Sequence, residues 1–289
     1  MRGRRGRAAP VGTRYDHAAQ RSAATVIEQY STSFGWASRL LHDPVRTHVR
    51  SLYALVRIAD EIVDDPALDL TDEERRQMLD ALESETTRAI ERGRSANLVV
   101  HAFALAARQH GIDQELIGPF FASMRADLEV STHDAESLAQ YVHGSAEVVG
   151  LMCLRVFVAG DTAQYEQLRE PARALGSAFQ KVNFLRDLAE DHDQLGRSYF
   201  PGLDPEDFSD RERDQLLDEI DAELGLAATA IPQLPRSSRC AVAAAHGFYR
   251  ALAERLRATP AAQIRRRRVR VPDHQKARIL AQVLIGGRA

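Results

Sequence analysis

Glycine and proline in this chain fall mostly between long stretches in which apolar residues recur with a helical period, and the period-two alternation of half-buried strands is almost absent. A chain of this kind can bury its apolar stripes only by packing helix on helix, so the expected fold class is all-α. Breaks are expected at 42–44, 65–66, 93–95, 111, 118–119, 160–161, 170–171, 196–205, 232–235 and 260. The intervening helices, roughly 12 to 25 residues each, are of bundle length. No repeat and no linker divides residues 21–289, which read as a single helical domain. Residues 1–20 read as a disordered Arg-rich tail, because the four arginines between Met1 and Gly12 have no apolar segment after them and so make no secretory signal.

Composition narrows the function classes. Lys+Arg 38 against Asp+Glu 41 is nearly balanced, which argues against a dedicated nucleic-acid binder, since such proteins carry a basic excess. The basic residues are arginine but for Lys181 and Lys276, a bias that fits a GC-rich genome better than any chemistry. Cys153 and Cys240 lack CxxC or Cys/His spacing and read as two buried thiols in a reducing cytoplasm. No run approaches the roughly 18 uninterrupted apolar residues of a membrane span.

Two acidic stretches carry the chemistry. In 45–65, Tyr53, Arg57, Asp60 and Asp64 fall within about 60° of helix arc, directly beside the apolar stripe of Leu52, Val56, Ala59 and Val63. A solvated charged face would oppose the apolar stripe instead of adjoining it. In 171–193, Gly176, Gln180, Asn183, Asp187 and Asp191 fall within about 80°. Carboxylates at i and i+4 repel one another unless a cation lies between them. Oxygen donors of this kind suit Mg²⁺, or Mn²⁺ as the alternative, completed by phosphate oxygens and water. A di-iron bundle needs Glu-x-x-His, which the chain lacks, and His42, His48, His101 and His110 have no zinc-ligand spacing and read as surface or packing residues. Dinucleotide, Walker A and Gly-x-Ser-x-Gly motifs are absent from the sequence.

The motifs resemble those of the head-to-head prenyl synthases: phytoene, squalene and dehydrosqualene synthases. Asp60-Glu61-Ile62-Val63-Asp64, preceded by Leu-Tyr-Ala-Leu-Val-Arg at 52–57, is similar to that family's first aspartate-rich motif. Asn183-Phe184-Leu185-Arg186-Asp187-Leu188-Ala189-Glu190-Asp191 is similar to the second, followed by Gly-Arg-x-Tyr-Phe-Pro at 196–201. Tyr30-Ser31-Thr32-Ser33-Phe34 matches the N-terminal signature, and 141–152 the central helix that lines the tail pocket. A class I terpene cyclase would carry Asn-Asp in the second motif, where residue 184 is Phe.

The resemblance implies an isoprenoid-synthase-type helical bundle with a central cavity and two acidic helices at its mouth. It implies a Mg²⁺-dependent transferase that joins two geranylgeranyl diphosphates 1-1′ through prephytoene diphosphate to phytoene, a step of carotenoid biosynthesis. NADPH is not expected, because phytoene formation is redox-neutral. Asp60, Asp64, Asn183, Asp187 and Asp191 become the expected metal ligands, with Arg57 and Tyr53 at the reacting diphosphate. Ser31, Ser33, Tyr141, Gln180, Asn183, Arg186, Tyr249 and Arg268 become the expected substrate contacts, with Arg186 off the stripe and placed to brace a carboxylate. Tyr141, Val148 and Met152 are expected to form the apolar wall, with Val149, Phe120 and Phe121 beside them. Squalene or dehydrosqualene synthesis from farnesyl diphosphate is the alternative. An inactive scaffold member is a second, against which the intact aspartates and Asn183 argue. No protein partner is inferred. A cytoplasmic location is expected, with peripheral contact to the inner membrane surface because such a product is insoluble in water; the cluster at 265–268 reads as a solvated charge run, with binding of anionic lipid headgroups as the alternative.

Overall fold

The protein's structure, a computed structural model, describes residues 12–30, 33–65, 69–195 and 197–286, without the side chains of 33, 190–195 and 205. The helices are α1 (Arg14–Tyr30), α2 (Ser33–Ser38), α3 (Val45–Asp64), α4 (Asp72–Arg92), α5 (Leu98–His110), α6 (Gln114–Ala126) and α7 (Ala135–Val142). A π-helical turn (His143–Glu147) joins α7 to α8 (Val148–Val158), followed by α9 (Thr162–Leu195), α10 (Asp210–Ala230), α11 (Arg236–Arg257), α12 (Ala261–Ile264) and α13 (Asp273–Gly286). Among the described residues there is no strand. A lone bridge between Thr132 and Ser198 ties the α6–α7 loop to the segment after α9.

Local signals set most ends. Thr71 and Glu74 cap α4 reciprocally, and Gly93 ends it in the left-handed region at φ 76°. Three expectations fail, each for a physical reason. The tail does not extend to residue 20: Thr13 and Asp16 cap α1, and Asp16 Oδ1 holds the buried His101 Nε2 at 2.8 Å. Pro119 does not break α6, because Gly118 before it has no Cβ to clash with the proline ring and keeps its helical backbone. Pro171 does not break α9, which packs along α8 on one side and α10 on the other, and that burial outweighs the lost hydrogen bond.

Two large apolar cores result, with a smaller cluster of Ala37, Ala244 and Phe248 between α2 and α11. One gathers α1, α3, α4, α5, α6 and α8 around Leu52, Leu55, Phe103, Phe120 and Phe121. The other gathers α7, α9, α10, α11 and α12 around Leu185, Leu217, Leu252 and Ile264. Helices from both sides approach closely where glycine permits it. A Cβ on Gly144 would lie 2.2 Å from the Pro119 carbonyl oxygen, and one on Gly176 2.6 Å from that of Ala146. The continuous helix Ala135–Val158 is long and apolar enough to cross a membrane, yet Leu151, Met152, Leu154 and Val156 are buried in the first core.

His48 and His110 form a buried pair, Nδ1 to Nε2 at 2.8 Å, so at least one ring must be neutral. Burial and the facing ring push the His48 pKa down to about 4. Between pH 6.5 and 4 the unfolded chain takes up a proton that folded His48 refuses, so this group's contribution to stability falls across that window as pH falls. Asp60 and Asp127, with raised pKa values, act in the opposite sense. The clean readout is therefore the difference in urea midpoint between wild type and His48→Gln. The wild-type advantage is expected to shrink from pH 7.5 to pH 5, and a difference constant over that range would contradict the assignment.

Candidate active site

A cavity of about 1140 Å³ lies between the two cores, bounded by α3 and α8 on one side and by α9 and α11 on the other. The stripe of α3 reaches it with Tyr53, Arg57, Asp60 and Asp64, and that of α9 with Gly176, Gln180, Asn183 and Asp187. Arg186, Tyr141, Tyr249 and Arg268 also line it. Ser31 lies outside the described residues, as do the side chains of Ser33 and Asp191.

The charged end is tightly partnered. Arg57 pairs with Glu61 one turn on, and its guanidinium lies 4.6 Å from the centre of the Tyr30 ring. Asp60 keeps some exposure to the cavity, but burial of its carboxyl, reinforced by Asp64, pushes its pKa up to about 8. Asp64 Oδ1 accepts from Arg197 Nη1 at 2.8 Å. Asp187 accepts from Arg186 Nε at 2.8 Å and is bridged by Arg268, whose Nε stands 2.8 Å from Oδ1. Arg186 thus braces a carboxylate, as its position off the stripe implies.

Asp127, at the C-terminal end of α6, takes no part in either motif, yet it completes this end of the cavity. Burial raises its pKa to about 7, Arg197 and the Tyr141 hydroxyl working against that rise. Arg197 also donates to the Asp127 carbonyl at 3.0 Å. A lone Asp following the apolar face of a helix is a weak signal. Arg197, inside the Gly-Arg-x-Tyr-Phe-Pro sequence, was open to notice.

Tyr141 is not part of a deep apolar wall. It belongs to the polar end: its hydroxyl donates to Asp127 and its ring packs beside Tyr199 and Phe184. Val148, Met152, Phe120 and Phe121 also depart from expectation and are fully buried in the first core. For Val148 and Met152 the cause is the π turn. It inserts one residue between α7 and α8, so the face expected at 148 and 152 falls instead at Val149 and Cys153, with Gly150, Leu154 and Phe157 beside them. Cys153 is therefore a cavity thiol, its pKa pushed up to about 12 by burial, and both cysteines are free and only partly buried.

Between the carboxylates and the apolar depth stands an aromatic collar. Phe179 stacks on Tyr249 at 3.7 Å, and Phe34 lies 6.0 Å from Tyr249, 6.1 Å from Phe179 and 6.4 Å from Tyr53. The arginine cluster at 265–268 is partly turned inward: Arg265 pairs with Glu206 at 2.7 Å and Arg268 with Asp187, leaving Arg266 and Arg267 exposed.

Among the described residues no three His, Cys, Asp or Glu side chains form a ready-made metal cage. The donor set nonetheless suits a hard divalent cation. Asn183 Oδ1 is buried with no hydrogen-bond partner, and the Asp60 carboxyl is held in its protonated form by burial and a like charge, conditions that a cation would relieve. Asp60, Asp64, Asp187 and Asn183 are the groups that could hold it.

A 15-cis-phytoene synthase from Paracoccus sp. is 28% identical over 254 residues, covering 82% of this chain and 81% of the relative. A 4,4'-diapophytoene synthase from Staphylococcus haemolyticus is also 28% identical, over 200 residues and 67% of each chain. A dehydrosqualene synthase crystallised with a ligand superposes at TM-score 0.78 with 20% identity, covering 94% of this chain and 97% of that one, so the isoprenoid-synthase fold is shared. The squalene/phytoene synthase family model matches residues 27–275, and with it the chain is placed: it belongs to the squalene/phytoene synthase family, whose members are prenyltransferases.

Proposed function

We propose that this protein condenses two geranylgeranyl diphosphates head-to-head, through prephytoene diphosphate, to phytoene. The observation that carries the reading is a single cavity with a carboxylate and arginine mouth, an aromatic collar and a long apolar interior. Mg²⁺, held by Asp60, Asp64, Asn183 and Asp187, would neutralise the charge that develops on a departing diphosphate. Arg57 offers a guanidinium to phosphate oxygens, and Tyr53 and Gln180 offer hydrogen-bond donors. The faces of Phe34, Phe179 and Tyr249 stabilise an allylic cation by their ring quadrupoles. The apolar wall below them excludes water that would quench it.

The depth accommodates either substrate, the longer included. Along α9 the lining runs from Leu168 to Asp187, about 28 Å at the helical rise. A straight C20 prenyl chain spans roughly 19 Å and a C15 chain roughly 14 Å, from carbon–carbon bonds of about 1.5 Å. The volume also exceeds the ordinary small-ligand range of about 300–1,000 Å³. The diapophytoene relative, equal in identity, keeps two farnesyl diphosphates as the second reading. Incubation with C15 and C20 diphosphates and Mg²⁺, with and without NADPH, followed by mass identification of the hydrocarbon, tests both. A C40 product formed from C20 substrate without NADPH is expected. A C30 product alone would assign the second reading, and release of no diphosphate from either would sink the enzyme.

A further inference from the structure

The acidic stripe of α3 ends on a weak piece of helix. Asp64 is the last helical residue, and Asp65 after it has left the helix, at φ −71° and ψ 109°. Three local effects work against that last turn. It carries Glu61 and Asp64 and no basic residue at the negative end of the helix dipole. Asp60 and Asp64 repel each other at i and i+4. The residue four beyond Ile62 is Pro66, which has no N–H to give the Ile62 carbonyl and disfavours helical geometry at Asp65 before it. Fraying by one turn would carry Asp64 out of the stripe it shares with Tyr53, Arg57 and Asp60.

The cation that this turn lacks comes from another helix. Arg75 of α4 is 8% exposed, and it donates from Nη1 to the Ile62 carbonyl at 2.6 Å and from Nη2 to the Asp65 carbonyl at 2.9 Å. Its fork thus spans the end of α3, taking one carbonyl inside the helix and one just past it. Nothing in α4 itself calls for a cation there. Arg75 stands near the N-terminus of α4, where the dipole disfavours positive charge, and a buried guanidinium is costly unless what it binds compensates. Arg197 grips the Asp64 carboxylate, and Arg75 grips the backbone that carries it. Arg75 does not line the cavity.

We propose that Arg75 is a positioning residue for the first acidic motif: by closing the end of α3 from α4, it keeps Asp64 in helical phase with Asp60, so that both carboxylates face the cavity together. The consequence for catalysis rests on the reading of Asp60 and Asp64 as cation ligands. A cation shared by residues one turn apart requires that turn to stay wound, and the last turn of a helix is where winding is least secure.

The test begins with the metal-free full chain, because helical phase needs no ligand. Hydrogen–deuterium exchange of peptides covering 58–65 is expected to run at least about tenfold faster in Arg75→Met than in wild type, with exchange over 45–55 unchanged. Arg75→Lys, which keeps the charge and loses the fork, should fall between them. Mn²⁺ binding to the full chain, read by electron paramagnetic resonance, should weaken about three- to tenfold in Arg75→Met and less in Arg75→Lys. In an Asp64→Asn background the same substitutions should add no further loss of Mn²⁺ affinity, since a residue that acts through Asp64 has nothing left to position. Variants with intact helical circular dichroism whose 58–65 exchange equals wild type would overturn the proposal. An equal Mn²⁺ penalty with and without Asp64 would do so too. Should wild type bind no Mn²⁺, the metal reading of the site fails, and the exchange rates alone decide whether Arg75 holds the turn.

Discussion

Asp187→Ala is expected to lower prenyl transfer by at least about 10³-fold while leaving the helical signal and the urea midpoint close to wild type. A charge-stabilising group at a departing diphosphate is worth several kcal/mol, far more than its contribution to folding at the edge of a cavity. Asp60→Asn should fall comparably in activity. Because the Asp60 carboxyl holds its proton up to about pH 8, turnover at limiting metal is expected to rise with pH through that region in wild type. Saturating metal should shift the rise to lower pH, since the cation competes with the proton. Single-turnover diphosphate release at several metal concentrations and pH values measures these effects, and activity surviving in both variants would refute the ligand assignment.

The second large effect is on stability. Arg197→Met is expected to cost about 3–5 kcal/mol, because removing one partner of a buried ion pair leaves the other charge uncompensated. Asp127 is the group left behind, its side chain 4% exposed and the Tyr141 hydroxyl its remaining donor. Loss of the guanidinium removes the influence that restrains the Asp127 pKa, so the carboxyl protonates more readily. The penalty should therefore be larger at pH 8 than at pH 6. Adding Asp127→Asn to Arg197→Met should recover much of it. Urea denaturation of the single and double variants decides the matter, and a cost below about 1 kcal/mol at pH 8 would mean that Asp127 is better solvated than its burial implies.

The parts of the site legible in the sequence were those written in uninterrupted α-helical phase. Tyr53 to Asp64 on α3 and Gly176 to Asp187 on α9 line the cavity, as 100° per residue requires. Their charges adjoin the apolar stripe because the cavity itself adjoins the core. Phase arithmetic failed where the helix changed its period. Nothing local in 143–147 announces a π turn, which Gly144 permits by letting the helix lie against the Pro119 carbonyl, a contact made far along the chain. Asp127 escaped because its partners, Arg197 and Tyr141, come from other elements, and a single carboxylate has no spacing to read. Pro171 misled because propensity is weighed against packing that only the assembled helices supply.

The π turn also makes the cavity wall a matter of counting. Every residue of α8 keeps its identity and its neighbours in sequence, yet the row it shows to the interior depends on one extra position within 143–147. Winding the same residues as unbroken α-helix would turn α8 by about 100° and trade Val149 and Cys153 for Val148 and Met152, whereas deleting the extra position together with the bulge would leave Val149 and Cys153 facing inward. The chamber is thus set by how this turn is wound as well as by which side chains stand along its wall, and a substitution that regularised the turn would reshape the whole row at once.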